Sequence, residues 1–191
     1  MKPGGERVRA FLAVGLGDEL RAALVLAVAE LRRAEWARPV RWVKGDSIHL
    51  TLRFLGSVSP ELLAELGSRV GEVVPRHVAH RARVRGVAAF PSARRPKVIA
   101  ADVEPHERLA ALAADLEQAA VASGLEPESR RFRPHLTLGR LRGRPDASIR
   151  IASTAALPDL EVDAVTLYRS HLDREGARYA ALSRWPLASP R

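Results

Sequence analysis

Apolar and polar positions along the chain alternate at two periods, and the boundaries between those periods mark out the elements. Residues 7–16 read as a first strand rich in apolar residues. From Asp18 to Trp36, Leu20, Ala23, Leu24, Ala27 and Leu31 recur at helical spacing. Arg41 to Val43 lead through Gly45-Asp46 into a strictly alternating strand, His49-Leu50-Thr51-Leu52, which runs on through Leu55 to Gly56. Ser59-Pro60-Glu61 is a helix start, with Ser as cap and Pro at the first helical position. That helix uses Leu62, Leu63, Leu66 and Val70 and ends before Pro75. Arg81, Arg83 and Arg85 alternate with apolar residues as a strand with one charged face. After a break at Phe90-Pro91-Ser92, Lys97 to Val103 reads as its hairpin partner. Glu104 to Ser123 predicts a third helix, with Gly124 as its terminal cap. Pro134 then opens a second alternating strand, His135-Leu136-Thr137-Leu138, and Glu161–Ser170 and Ala177–Trp185 give two more. No linker or low-complexity stretch divides the series, so the expectation is one α+β unit over residues 1–191.

The two alternating strands carry the same tetrapeptide in a chain of 191 residues with only six histidines. Two His-x-Thr matches are expected by chance in roughly one such chain in a hundred, before the leucines are counted. On a strand, side chains two apart share a face, so each copy turns His and Thr one way and both Leu the other. Two such strands facing each other would set two imidazoles and two hydroxyls around one small anion. An imidazole accepts a proton and an imidazolium donates one near neutral pH, so a pair can divide the work of phosphoryl transfer. One activates water and the other protonates the departing oxygen on the opposite side. The hydroxyls can donate to non-bridging oxygens as charge develops there.

Composition narrows the chemistry. The chain has no Cys, which excludes disulfides and thiolate nucleophiles. Its net charge of +9 suits a polyanionic partner such as nucleic acid, although a sequence this rich in Arg and Ala, with only three Lys, also reflects compositional bias. The apolar run at residues 11–16 is cut by Asp18 and Glu19, and no run is long enough to span a bilayer. The expectation is a cytoplasmic protein. His77 and His80 lack nearby Cys or carboxylate partners in sequence and read as surface residues rather than metal ligands.

The twin motifs and their flanks resemble the two-histidine phosphoesterases, in particular the bacterial and archaeal RNA 2′,3′-cyclic phosphodiesterases of the 2′-5′ RNA ligase family. The similarity is carried by Arg41-Trp42-Val43, by His49 through Gly56, by Phe132 through Arg140, by Val165 through Ser170, and by the ending from Tyr179 to Leu187. It implies a bilobal fold with two antiparallel sheets flanked by helices, pseudo-twofold symmetry and a central cleft. It further implies hydrolysis of an RNA 2′,3′-cyclic phosphate to a 2′-phosphomonoester. Ring strain in such a phosphate lowers the barrier, so neither metal nor cofactor is expected, and the chain is expected to act as a monomer. His49 would be the proton donor, His135 the proton acceptor, and Thr51 and Thr137 would hold phosphate oxygens. Reversible 2′-5′ ligation or 2′-5′ oligonucleotide cleavage would use the same four residues, and a non-catalytic RNA-end-binding module is the alternative outside enzymes.

Around the quartet, Arg53 and Arg133 fall on the His face by strict alternation and could reach the phosphate, or stand as solvated strand-end charges. Phe90 and Phe132 could stack on a base, while Trp42 and Trp185 suit the core. Arg140 falls on the leucine face by strict alternation, which makes it a weaker candidate for the cleft. The Arg81/Arg83/Arg85 stripe is read as a solvent-facing sheet edge rather than an RNA track.

Overall fold

The computed structural model describes residues 6–92, 96–104, 107–143, 151, 156–173 and 176–190. Among the described residues, ten strands and three α-helices follow in the order β1 (Val8–Val14), α1 (Asp18–Leu31), β2 (Val40–Trp42), β3 (Leu50–Val58), α2 (Pro60–Val73), β4 (His80–Ala82), β5 (Val84–Phe90), β6 (Val98–Val103), α3 (Glu107–Ala122), β7 (His135–Leu141), β8 (Leu160–Val162), β9 (Ala164–Asp173) and β10 (Gly176–Pro186). Two antiparallel four-stranded lobes result. One runs β10-β9-β1-β3, and the other holds β5, β6, β7 and β2. They meet where β3 pairs with β7 through Leu50 and Leu136 alone, which makes the hydrogen-bonded path continuous across eight strands. A separate two-stranded ribbon joins β4 to β8.

That seam is a pseudo-twofold axis, because Leu50 and Leu136 hold the same place in the two tetrapeptides. Their neighbours match in register as well. Val14 pairs with Leu50 and Ala13 with Thr51, just as Ala101 pairs with Leu136 and Ala100 with Thr137. In each lobe the register then slips by one residue, leaving Leu52 and Leu138 as the extra residue of a β-bulge. The bulge falls on the fourth residue of the motif both times.

All three helices cover the leucine face. Leu20, Leu24 and Val28 of α1, Leu63, Leu66 and Val70 of α2, and Leu109, Leu112 and Leu116 of α3 bury against Leu50, Leu52, Leu136 and Leu138 in one apolar cluster. Each buried Leu stabilises the fold by about 1.5–3 kcal/mol. The opposite face of the two motif strands stays open. Helix α2 starts as its residues dictate, with the Ser59 hydroxyl accepting from the Leu62 amide at 3.3 Å and Pro60 in the first turn. Helix α1 stops at Leu31, short of the expected Trp36, and a separate turn of 3₁₀-helix follows at Glu35–Ala37. The first residues expected for α3 include 105–106, which lie outside the described set.

Two expected strands are each broken in two. The arginine stripe splits at Arg83, so that Arg81 lies on β4 and Arg85 on β5. Arg81 pairs with Glu161 at 3.1 Å and Arg85 with Glu104 at 2.7 Å, which makes both surface ion pairs. The stretch from Glu161 to Ser170 breaks at Asp163 because its start pairs with β4 and its remainder with β1 and β10.

Candidate active site

Each motif presents its histidine at the mouth of a strand. His49 directly precedes β3 and His135 opens β7. Extending the antiparallel Leu50–Leu136 register by one residue each way sets His49 level with Thr137 and Thr51 level with His135. All four side chains stand on the helix-free face, because both leucines are buried on the other side. Both imidazoles and both hydroxyls are half-buried.

The rings are oriented in the same way. Nδ1 of His49 bonds the Ser47 carbonyl at 2.9 Å, and Nδ1 of His135 bonds the Arg133 carbonyl at 2.8 Å, each two residues upstream. A carbonyl only accepts, so both Nδ1 atoms carry a proton and each neutral ring keeps Nε2 as its acceptor. Aromatic packing fixes the planes. His49 stacks on Phe11 at 4.6 Å and meets the edge of Tyr179 at 5.1 Å, and Tyr168 lies against both Phe11 at 5.3 Å and His49 at 6.2 Å. His135 stacks on Phe90 at 4.3 Å, and the Arg133 guanidinium covers that same ring at 4.4 Å.

Burial lowers the His49 pKa from 6.5 to about 4, against the opposing pull of the Ser47 carbonyl. The positive charges of Arg140 and His135 add to the lowering. Burial also lowers the His135 pKa, with Arg133 and Arg140 contributing, while the Arg133 carbonyl and Asp102 oppose it. Arg140 thus acts on both rings, and the charge of His135 acts on His49. Between about pH 6.5 and 4 the unfolded chain binds the His49 proton more readily than the folded one. Folding stability is therefore full above pH 6.5 and falls as the pH drops through that window, by on the order of 3 kcal/mol for this residue. Urea unfolding at pH 7 and pH 4.5 measures the difference. His49→Asn is expected to shrink it, with His135 supplying part of the remainder, and an undiminished difference in that variant would contradict the assignment.

Of the further residues expected near the phosphate, the structure brings only some to the histidines. Arg53 is turned away. The Leu52 bulge reverses the alternation, so Arg53 pairs with Leu12 on the helix side and is only 8% exposed. There it forms an ion pair with Glu117 of α3 and donates to the carbonyls of Phe54 and Glu126. Arg133 stays beside His135, but over Phe90. Phe90 supports the His135 ring itself, and Phe132 packs against the apolar core.

The same device in the other lobe brings in a residue that alternation had placed elsewhere. Past the Leu138 bulge, Arg140 pairs with Val98, which shares a face with Ala100 and Asp102 opposite Thr137 and His135. Arg140 is therefore on the histidine face. Its counterpart in the first lobe is Phe54, which pairs with Phe11 and is 48% exposed. Asp102 is the register partner of His135. By the same count, Gly15 takes the corresponding place in the first lobe. Phe11, Tyr168, Tyr179 and Asp102 are the site residues that the sequence pattern alone did not single out, and Arg140 is one that strict alternation set on the other face. Among the described residues no group of three or more His, Asp or Glu side chains is placed to hold a metal ion.

An α+β fold of two pseudo-symmetric lobes, each turning a His-x-Thr strand onto a shared face, is that of the two-histidine phosphoesterases. Similarity to known proteins narrows the class. The chain belongs to the 2′-5′ RNA ligase superfamily, whose family model matches residues 18–174. It is 33% identical over 188 residues to the RNA 2′,3′-cyclic phosphodiesterase of Thermus thermophilus, covering 94% of this chain and 90% of that protein. To the RNA 2′,3′-cyclic phosphodiesterase of Escherichia coli it is 32% identical over 183 residues, 95% and 98% of the two chains. Among solved structures, E. coli LigT complexed with 3′-AMP superposes with a TM-score of 0.80 at 30% identity, over 95% of this chain and 99% of that one. TT0787 of Thermus thermophilus gives 0.80 at 30% identity over 96% and 100%. No helix among the described residues is long and apolar enough to cross a membrane.

Proposed function

We propose that the chain hydrolyses RNA 2′,3′-cyclic phosphate ends to 2′-phosphomonoesters, with the four motif residues around the phosphorus and without a metal. The observation that carries this reading is the antiparallel Leu50–Leu136 pair, which levels each histidine with the opposite lobe's threonine. Relatives named for that activity at 32–33% identity over nearly the whole chain support it. Water adds to phosphorus as one imidazole takes its proton at Nε2. The bond from phosphorus to the ribose 3′ oxygen breaks, and the other imidazolium protonates that oxygen. Thr51 and Thr137 donate to the non-bridging oxygens, and Arg140 offsets the charge that gathers there.

In the family's assignment His49 is the donor and His135 the acceptor. With its pKa near 4 in the free protein, His49 then takes up its proton together with the anionic substrate, whose charge opposes that of Arg140. The reverse assignment has one observation in its favour: the carboxylate of Asp102 lies opposite His135, and only Gly15 takes that place beside His49. A cyclic substrate with sulfur in place of the 3′ oxygen separates the two. It needs no acid, so it rescues the Ala variant of whichever histidine is the donor.

The main test is product analysis. In EDTA, an oligonucleotide ending in a 2′,3′-cyclic phosphate is expected to give a 2′-phosphate, read by phosphorus NMR. A 3′-phosphate product, or turnover that needs added divalent metal, would overturn the reading.

A further inference from the structure

Two arginines stand directly opposite each other at the edge of the site. Arg41 of β2 is the register partner of Arg140 of β7, and register partners point their side chains to the same side of a sheet. Val40 and Trp42, its neighbours on β2, pack on the other side in the small apolar cluster around Ile99. Arg41 thus projects onto the histidine face one strand over from Arg140, about 4.8 Å away, along the edge of β7 that β3 also pairs with. Both arginines are exposed, and neither holds a carboxylate among the described residues. Elsewhere on this surface Arg81, Arg85 and Arg184 each have one. Like charges set directly opposite on a sheet destabilise it, so this pair lowers stability unless an anion lies across it.

Resting on the reading above, in which Arg140 serves the reacting phosphate, we propose that Arg41 binds a second phosphate, the one on the 5′ oxygen of the terminal nucleoside. Charge and reach both favour it. Arg140 is already committed to both histidines through its field, and a single cyclic phosphate leaves the Arg41 guanidinium without a partner. A chain carries its next phosphate one nucleoside away from the reacting one, and a long, planar, permanently charged side chain one strand over suits it. The site then distinguishes an RNA end from a free cyclic nucleotide, and the repulsion across β2 and β7 is relieved only when the longer ligand is bound.

The test compares wild type and Arg41→Gln on three substrates: a nucleoside 2′,3′-cyclic phosphate, the same compound with a 5′-phosphate, and a dinucleotide ending in the cyclic phosphate. Wild type is expected to favour the two 5′-phosphorylated substrates in kcat/KM by about tenfold or more, mainly through KM. The variant is expected to lose that preference, and its salt dependence on the dinucleotide should flatten by about 0.7 in log–log slope, the value of one single-strand phosphate. Its unfolding temperature is expected to equal or exceed that of wild type, which a merely structural arginine would not give. A preference unchanged in Arg41→Gln, or an equal loss on all three substrates, would overturn the proposal. A preference for the dinucleotide alone would also overturn it, by pointing to recognition of a second base. If wild type turns over none of them, the hydrolytic reading fails, and the subsite is judged by binding. Tighter wild-type binding of a nucleoside 2′,5′-bisphosphate than of the 2′-phosphate, lost in the variant, upholds it, and equal affinities sink it.

Discussion

His49→Ala and His135→Ala are each expected to cut turnover of a cyclic-phosphate-terminated oligonucleotide by about 10³-fold, within the 10²–10⁴ range of a positioned general acid or base. The double variant is expected to fall little below either single one, because two groups acting on one phosphorus in one step fail together. Losses that multiply would mean that the rings act on separate events. Neither change should unfold the chain. The rings are half-buried, and the residues that anchor the two strands are the leucines behind them. Circular dichroism and an unfolding curve at pH 7 check that point before kinetics are compared.

Arg140→Ala is the second large effect expected, and Arg53→Ala is its control. Arg140 reaches both imidazoles electrostatically and lies on their face. Its removal is expected to lower kcat by about 10²–10³-fold, comparable to losing one donor from a preorganised anion site. The same removal takes away a positive charge that lowers both histidine pKa values, so the pH–rate profile should shift to higher pH. A purely structural role for Arg140 would move neither limb of that profile. Arg53 occupies the place that strict alternation assigns to a phosphate ligand, yet it is buried against Glu117. Arg53→Ala is therefore expected to cost about 1–3 kcal/mol of stability while the surviving folded protein keeps its pH profile. If instead Arg53→Ala abolished turnover with stability intact, the placement of the two arginines would be wrong.

That exchange of roles between Arg53 and Arg140 shows where the sequence stops being readable. Periodicity locates both motif strands, and the first four residues of each obey alternation. The bulge at Leu52 has no Gly or Pro beside it, and the one at Leu138 is flanked only by Gly139, a cue that alternation by itself does not use; each bulge reverses the face of everything downstream. Phe11 was hidden for another reason. It sits in Phe11-Leu12-Ala13-Val14, a run apolar on both faces, so its stacking side cannot be told from its neighbours. Tyr168 and Tyr179 reach His49 only because the β9–β10 hairpin returns beside β1, a long-range pairing that local pattern does not encode. The helices were plainer, because leucine spacing and the Ser59-Pro60 start are local signals. The small ribbon of β4 and β8, which splits two expected strands, depends on partners about 80 residues apart in sequence and was equally out of reach.

Catalysis of this kind depends on one anion being shared between the lobes. A crystal structure with a nucleoside 2′-phosphate bound tests this most directly. The expected result is a phosphate within hydrogen-bonding distance of Nε2 of both His49 and His135, with the two threonine hydroxyls on its remaining oxygens. A phosphate held by one lobe alone, with the other imidazole out of reach, would contradict it.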